Sequence, residues 1–181
     1  MQKTNILITG SPGVGKTTLL QKICRELEAF CPSGFITREI RKEGKRQGFQ
    51  LIGLQGGQRT LAHTRIAGQA KVGKYGVDVQ GLEAYLQQLD LEAAQAGFIA
   101  IDEIGKMECL SAEFVSLMRR LLDSERPLLA TVAAKGKGFI KEVKARQDAA
   151  LISVNEENRQ ALAGELVRRM QELLESCSDN T

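Results

Sequence analysis

The chain is poor in histidine, proline and aromatic residues, and its cysteines follow no pattern that would hold a metal. The four cysteines, at positions 24, 31, 109 and 177, form no C-x-x-C pair, and the single histidine, His63, stands apart from them. A zinc site draws its ligands from such clusters, so none is expected. No disulfide framework is suggested either. Cys24 falls on an apolar helical stripe, where a buried, reduced thiol fits, and a reducing cytosol is implied. No apolar stretch approaches the roughly 20 residues that cross a bilayer. The first apolar run, Ile6-Leu7-Ile8 before Thr9, is too short for a secretory signal, so a cytoplasmic protein is expected. One-sided charge is also missing. The formal net charge is +3, which makes no general case for nucleic acid or a membrane surface.

What is present is an ordinary globular balance, with 43% hydrophobic and 26% charged residues in 181. No internal repeat or low-complexity linker divides the chain, so a single domain over 1–181 is the simplest count. Ile6-Leu7-Ile8-Thr9 reads as a buried parallel strand, followed by a glycine-rich loop and a helix to about residue 29. Residues 34–63 change character. Gly34–Arg41 and Gly48–Leu54 read as strands joined by a charged turn, and Arg59–His63 as a third, together an inserted antiparallel β-meander. Residues 64–78 read as a loop. Asp78 is placed to cap a helix to about residue 95, and Ser111 to cap another. Gly97–Ile101, Leu128–Ala133 and Leu151–Val154 read as further core strands. Asn155 is placed to cap a final helix with Glu156 and Glu157 in its first turn, and the last few residues are expected to fray. Alternation of strand and helix argues an α/β fold with a mainly parallel sheet covered by helices on both faces.

Gly10-Ser11-Pro12-Gly13-Val14-Gly15-Lys16-Thr17 matches G-x-x-x-x-G-K-[ST], the phosphate loop of P-loop NTPases. Glycines let successive N–H groups point into one concavity, and the following helix adds its positive end. Lys16 is expected on the β- and γ-phosphates, the Thr17 hydroxyl on Mg2+ and Thr18 near the α-phosphate. The strand Phe98-Ile99-Ala100-Ile101 ends in Asp102, which is expected to hold Mg2+ with Thr17. Glu103 follows and is suited to orient or deprotonate water for attack on the γ-phosphate. Lys16 and Glu103 are therefore the expected catalytic residues.

The string Asp102-Glu103-Ile104-Gly105-Lys106-Met107-Glu108, taken with the phosphate loop, resembles the THEP family of nucleoside-triphosphatases. Gly34-Phe35-Ile36-Thr37 with Arg41, Gly48-Phe49, and Val72-Gly73-Lys74-Tyr75-Gly76-Val77-Asp78-Val79 extend the resemblance over nearly the whole chain. It implies a RecA-like core and slow, broad hydrolysis of ATP, GTP and other nucleoside triphosphates. It also implies nucleotide contacts at Gly10, Ser11, Pro12, Gly13, Val14, Gly15, Lys16, Thr17 and Thr18, and at Asp102, Glu103, Ile104, Gly105 and Lys106. Arg38 stands where the family more often has an acid, and Gln160 follows Asn158-Arg159 where an aspartate is expected.

Other constellations stay open at this level. Arg41, Arg65, Lys106 and Arg146 are candidates for a charge-stabilising cation, with Lys106 best placed, and Lys74 sits in a loop able to cover a nucleotide. The basic stretch Lys135, Lys137, Lys141, Lys144 and Arg146 suits a solvated helix face or a lid. It has no aromatic platform, so nucleic-acid contact has little support. Thr131 fits either core packing or a γ-phosphate contact. A nucleotide, nucleoside or polynucleotide kinase, and a nucleotide-gated switch with an unnamed protein partner, remain alternatives to hydrolysis.

Overall fold

The computed structural model describes residues 4–178; residues 1–3 and 179–181, and the side chains of 177 and 178, lie outside it. Cys177 and the expected frayed end fall there. Among the described residues the order is β1 (Asn5–Gly10), α1 (Lys16–Glu26), β2 (Ser33–Lys42), β3 (Lys45–Gly53), β4 (Gln58–His63), β5 (Lys71–Val72), β6 (Tyr75–Val77), α2 (Val79–Leu89), β7 (Ile99–Ile104), α3 (Ala112–Asp123), β8 (Leu128–Ala133), α4 (Phe139–Lys144), β9 (Ala149–Val154) and α5 (Arg159–Ser178).

One sheet runs in the order β5-β6-β4-β3-β2-β7-β8-β1-β9. Strands β2, β7, β8, β1 and β9 pair in parallel. Alternation along each central strand sends side chains to two separate cores. Leu7, Ile99, Ile101, Leu128, Ala130 and Val132 join the face that includes residues of α2, α3 and α4. Ile6, Ile8, Ala100 and Leu129 join the other, with Leu19, Leu20 and Ile23 of α1 and Leu166, Met170 and Leu173 of α5. Burying each such large side chain stabilises by about 1.5–3 kcal/mol, so both helical layers are held chiefly by these stripes.

The expected meander is present but is not set apart from the core. Ser33, Gly34 and Phe35 of β2 pair in parallel with Ile99, Ala100 and Ile101 of β7. The same strand then continues as the antiparallel partner of β3. A ten-residue strand beside a six-residue one outruns its parallel neighbour, and the overhang is free to build a hairpin. The 64–78 segment, expected as a loop, contains β5 and β6. Strands of two and three residues are too short to show alternation, yet Tyr75, Gly76 and Val77 are all buried.

Two helix ends also differ from expectation. Helix α2 stops at Leu89 rather than near 95, because Asp90 takes a left-handed conformation and closes it. Helix α5 begins at Arg159, not directly after Asn155. The Asn155 Oδ1 accepts from the N–H groups of Glu157 (3.0 Å) and Asn158 (2.8 Å), and Asn158 Oδ1 accepts from Asn155 N–H (2.9 Å). These side-chain bonds hold a separate turn, and Glu156 and Glu157 belong to it. The other two caps form as expected: Asp78 accepts from Gly81 N–H (2.9 Å) and Ser111 from Phe114 N–H (3.0 Å).

Candidate active site

Parallel strands place their carboxyl ends along one edge of the sheet, and the loops leaving that edge meet in space. The loop after β1 is the phosphate loop, and Asp102 to Glu108 lie at the end of β7 and just beyond it. Ala133 to Lys135 leave β8. Gly15 has φ 106°, in the left-handed region, and turns the chain into the first residue of α1. Lys16 is buried, and its ammonium donates to the carbonyls of Gly10 (3.0 Å) and Ser11 (3.2 Å). The lysine thus lies along the concave side of its own loop. Val14 is buried in the core with Ile6, Ile8 and Leu20, which anchors the loop by its middle.

The end of β7 is irregular. Ile101 pairs with Ala130 and Ile104 with Val132, so two residues, Asp102 and Glu103, stand opposite the single residue Thr131. Such a bulge re-aims side chains near functional sites. Asp102 is 2% exposed. Its Oδ1 accepts from the Thr131 hydroxyl at 2.6 Å and its Oδ2 from Thr37 N–H at 3.2 Å. The Thr37 hydroxyl donates to the Asp102 carbonyl. Two neighbouring strands, β8 and β2, therefore fix the orientation of this carboxylate. Thr131 is fully buried, and its hydroxyl is directed at Asp102.

Glu103 is half-buried. Burial raises its carboxyl above the ordinary range, the Lys16 ammonium opposes that shift, and the Asp102 charge adds to it. Glu108, in the short 3-10 turn Glu108–Leu110, is 4% exposed. Burial pushes its carboxyl up to about 8; its own N–H and that of Gly105 oppose the shift, and the charges of Glu103 and Asp102 add to it.

Two clefts flank the loop. One, of ≈ 510 Å³, is bounded by Gly13, Gly15, Thr17 and Thr18 on one side and by Asp102, Arg38 and Arg46 on the other. The second, of ≈ 540 Å³, lies beyond Gly10 and Ser11 and is walled by Phe49, Val72, Met107 and Ala133 to Lys135, with Glu108. Pro12, Lys16, Thr37, Phe49 and Glu103 border both. Thr17 and Asp102 face the first cleft. A threonine hydroxyl and a pinned carboxylate oxygen form a hard-donor pair of the kind Mg2+ takes when phosphates and waters fill its other positions. Among the described residues there is no cluster of three or more His, Cys, Asp or Glu for a metal held by protein ligands alone.

The structure thus brings together Gly10–Thr18, Asp102, Glu103, Gly105 and Lys106. Ile104 is fully buried and packs in the core. Of the cation candidates, Lys106 lines the second cleft. Arg41 is paired with Glu39, Arg146 with Asp123 and Asp148, and Arg65 follows β4 at an exposed position. Lys74 lies over the Tyr75 ring, 5.4 Å from its centroid. Lys144 donates to the carbonyls of Ala133 and Ala134, which ties the basic stretch down, and Lys135 of that stretch lines the second cleft. Four positions carried no assigned role in the sequence reading: Thr37, Arg46, Phe49 and Glu108. Three of them lie on strands β2 and β3, and nothing in local spacing announces that this hairpin reaches the phosphate loop.

The sequence profile described as NTPase matches residues 5–167. The nucleoside-triphosphatase THEP1 of Thermotoga sp. (strain RQ2) is 41% identical over 163 residues, covering 90% of this chain and 92% of the relative. This chain belongs to the THEP1 nucleoside-triphosphatase family. Two solved structures agree. The crystal structure of THEP1 from the hyperthermophile Aquifex aeolicus superposes with a TM-score of 0.83 at 32% identity, covering 92% of this chain and 98% of that one. The solution structure of a human cancer-related nucleoside triphosphatase gives 0.77 at 32% identity, with 93% and 97% covered. Membership in the THEP1 family makes the chain a nucleoside-triphosphate hydrolase on a P-loop fold. No described helix is long and apolar enough to cross a membrane.

Proposed function

We propose that the protein hydrolyses ATP, GTP and other nucleoside triphosphates to the diphosphate and phosphate, with Mg2+ as cofactor. The observation that carries this reading is the pair Asp102–Glu103 at the bulge of β7, opposite Lys16. Gly10–Thr18 cradle the phosphates through backbone N–H groups and the start of α1. Lys16 moves from its own loop carbonyls to the β- and γ-phosphate oxygens. Thr17 and Asp102 hold Mg2+, which when bound neutralises charge on the phosphates. Thr131 and Thr37 keep Asp102 oriented for that role, as outer partners of a metal ligand do. Glu103 accepts a hydrogen bond from water and holds it in line with the γ-phosphorus. Its raised carboxyl is a stronger base than an exposed glutamate, which favours taking the water proton. Lys106 supplies positive charge to the γ-phosphoryl oxygens as the bond to the leaving oxygen breaks.

The nucleobase has a groove beside Gly15 and Thr18, lined by Lys22, Arg159 and Gln160. Contacts of side chains with the face of a base tolerate different bases. Release rates with ATP, GTP, CTP and UTP are therefore expected within about tenfold of one another.

The decisive measurement is phosphate release by Glu103→Gln. Binding of Mg–ATP should persist and turnover fall by about 100-fold or more. A wild-type rate in that variant would remove Glu103 from the mechanism. Lys16→Ala should lose tight nucleotide binding altogether.

A further inference from the structure

Hydrolysis gives no task to the apolar side of the second cleft, along Phe49, Val72, Met107 and Ala134. An attacking water occupies about 30 Å³, whereas the whole cleft, its phosphate side along Gly10, Ser11, Pro12 and Lys16 included, measures ≈ 540 Å³. That is the size of a small-molecule site. Its walls come from three separate parts of the chain: Phe49 and Val72 from the antiparallel half of the sheet, Met107 from the turn after β7, and Ala133 and Ala134 from the end of β8 and the loop that follows it. The apolar side is held in shape. The Phe49 ring meets Tyr75 edge-on at 5.3 Å, and the Arg46 guanidinium covers Phe49 at 5.2 Å while donating to the Tyr75 hydroxyl. Ser11, Lys16 and Thr37 lie on the phosphate side, and the other polar side chains are Glu103, Lys106, Glu108 and Lys135. Glu108 presents a buried carboxyl, Lys106 and Lys135 stand exposed on the rim, and Glu103 marks the border with the phosphate side.

An apolar, preformed slot with one buried hydrogen-bonding group suits a flat heterocycle. A carboxylate at its border suits a hydroxyl group. We propose that this cleft is an acceptor site for a nucleoside, whose hydroxyl replaces water as the group that receives the γ-phosphoryl. The base lies between Phe49, Val72 and Met107, with Glu108 bonded to one of its heteroatoms, and the sugar points to Glu103. The nucleoside oxygen forms a bond to the γ-phosphorus as the bond from that phosphorus to the bridging oxygen breaks. The hydroxyl proton passes to Glu103 and then to water, and the nucleoside diphosphate leaves with the electron pair. Hydrolysis is then the reaction of the same site when water occupies it. This inference rests on the phosphate-loop reading above.

The test uses the wild-type chain with Mg–ATP and adenosine, guanosine, cytidine or uridine, following ADP formation and phosphorylated nucleoside by chromatography. At least one nucleoside is expected to raise ADP formation by about tenfold or more and to yield its phosphorylated form. In Ala134→Trp, which fills the cleft from an exposed position, the ratio of stimulated to basal rate should fall towards one. The acceptor site is overturned if no nucleoside is phosphorylated while ADP formation still depends on Lys16. It is equally overturned if a nucleoside is phosphorylated undiminished by Ala134→Trp, or accelerates ADP formation without being phosphorylated. ATP consumption at the wild-type rate in Lys16→Ala would instead overturn the phosphate-loop reading, and this proposal with it.

Discussion

At the scale of single residues, the site is a set of carboxylates whose surroundings differ. Asp102 is held from two strands, Glu103 is half-buried beside Lys16, and Glu108 is enclosed. Glu108 has a consequence for stability. Its carboxyl sits at about 8 in the fold against 4.5 as the ordinary value, so between these values the folded state keeps a proton that the unfolded chain has lost. Stability then falls as pH rises through that window. In metal-free protein, Glu108→Gln should flatten the decline in denaturant midpoint between pH 5 and pH 8.5, about the limits of that window. Parallel pH profiles for variant and wild type would show that Glu108 is not the group responsible. Thr131 makes a second prediction. Thr131→Val keeps the shape but removes the hydroxyl bonded to Asp102, and should weaken Mg2+-dependent nucleotide binding by about tenfold or more, measured by titration calorimetry. Cys24 conforms to its sequence pattern: it is buried, and burial pushes its thiol up to about 12, so it is unreactive.

At the scale of elements, what was legible followed period and punctuation. The stripe Leu19, Leu20, Ile23, Cys24 identified α1, Phe114, Leu117, Met118, Leu121 identified α3, and the caps Asp78 and Ser111 marked true helix starts. Losing the Ser111 hydroxyl in Ser111→Ala should cost about 1 kcal/mol in equilibrium unfolding, plus the loss of its bond to Glu83 (2.8 Å). What was not legible depended on contacts distant in sequence. Gly34 reads as the start of a strand, yet its real constraint is the neighbouring β7. It has φ 132°, and a Cβ there would stand 1.9 Å from the Ala100 carbonyl oxygen. Gly34→Ala must push β2 off β7 and should destabilise by about 4 kcal/mol or more, with Thr37 displaced from Asp102 and nucleotide affinity reduced. Wild-type stability in that variant would mean the β2–β7 junction is not as described. Short β5 and β6 escaped notice because their order comes from β4 and Ile66, not from any pattern of their own.

At the scale of the whole molecule, one continuous sheet carries both the strand ends beside the phosphate loop and the wall of the second cleft. A ligand that binds only the folded state stabilises it by mass action. At about 100 times its dissociation constant that is about 2.7 kcal/mol, or roughly 5–10 °C in melting temperature for a chain of this length. Mg–ATP should produce such a shift, and both EDTA and Lys16→Ala should abolish it. A shift that survives Lys16→Ala would place the nucleotide elsewhere. The sequence by itself determined the phosphate loop, the acidic strand end and the family, because each is written in consecutive residues whose chemistry does not depend on distant neighbours. Only the tertiary structure decided that Thr131 and Thr37 orient Asp102, that Arg146 and Arg41 are spent on local ion pairs, and that Phe49 and Val72 line the same cleft as Glu103. Those relations depend on strand order and register, which bring together residues from separate parts of the chain and which no local pattern encodes.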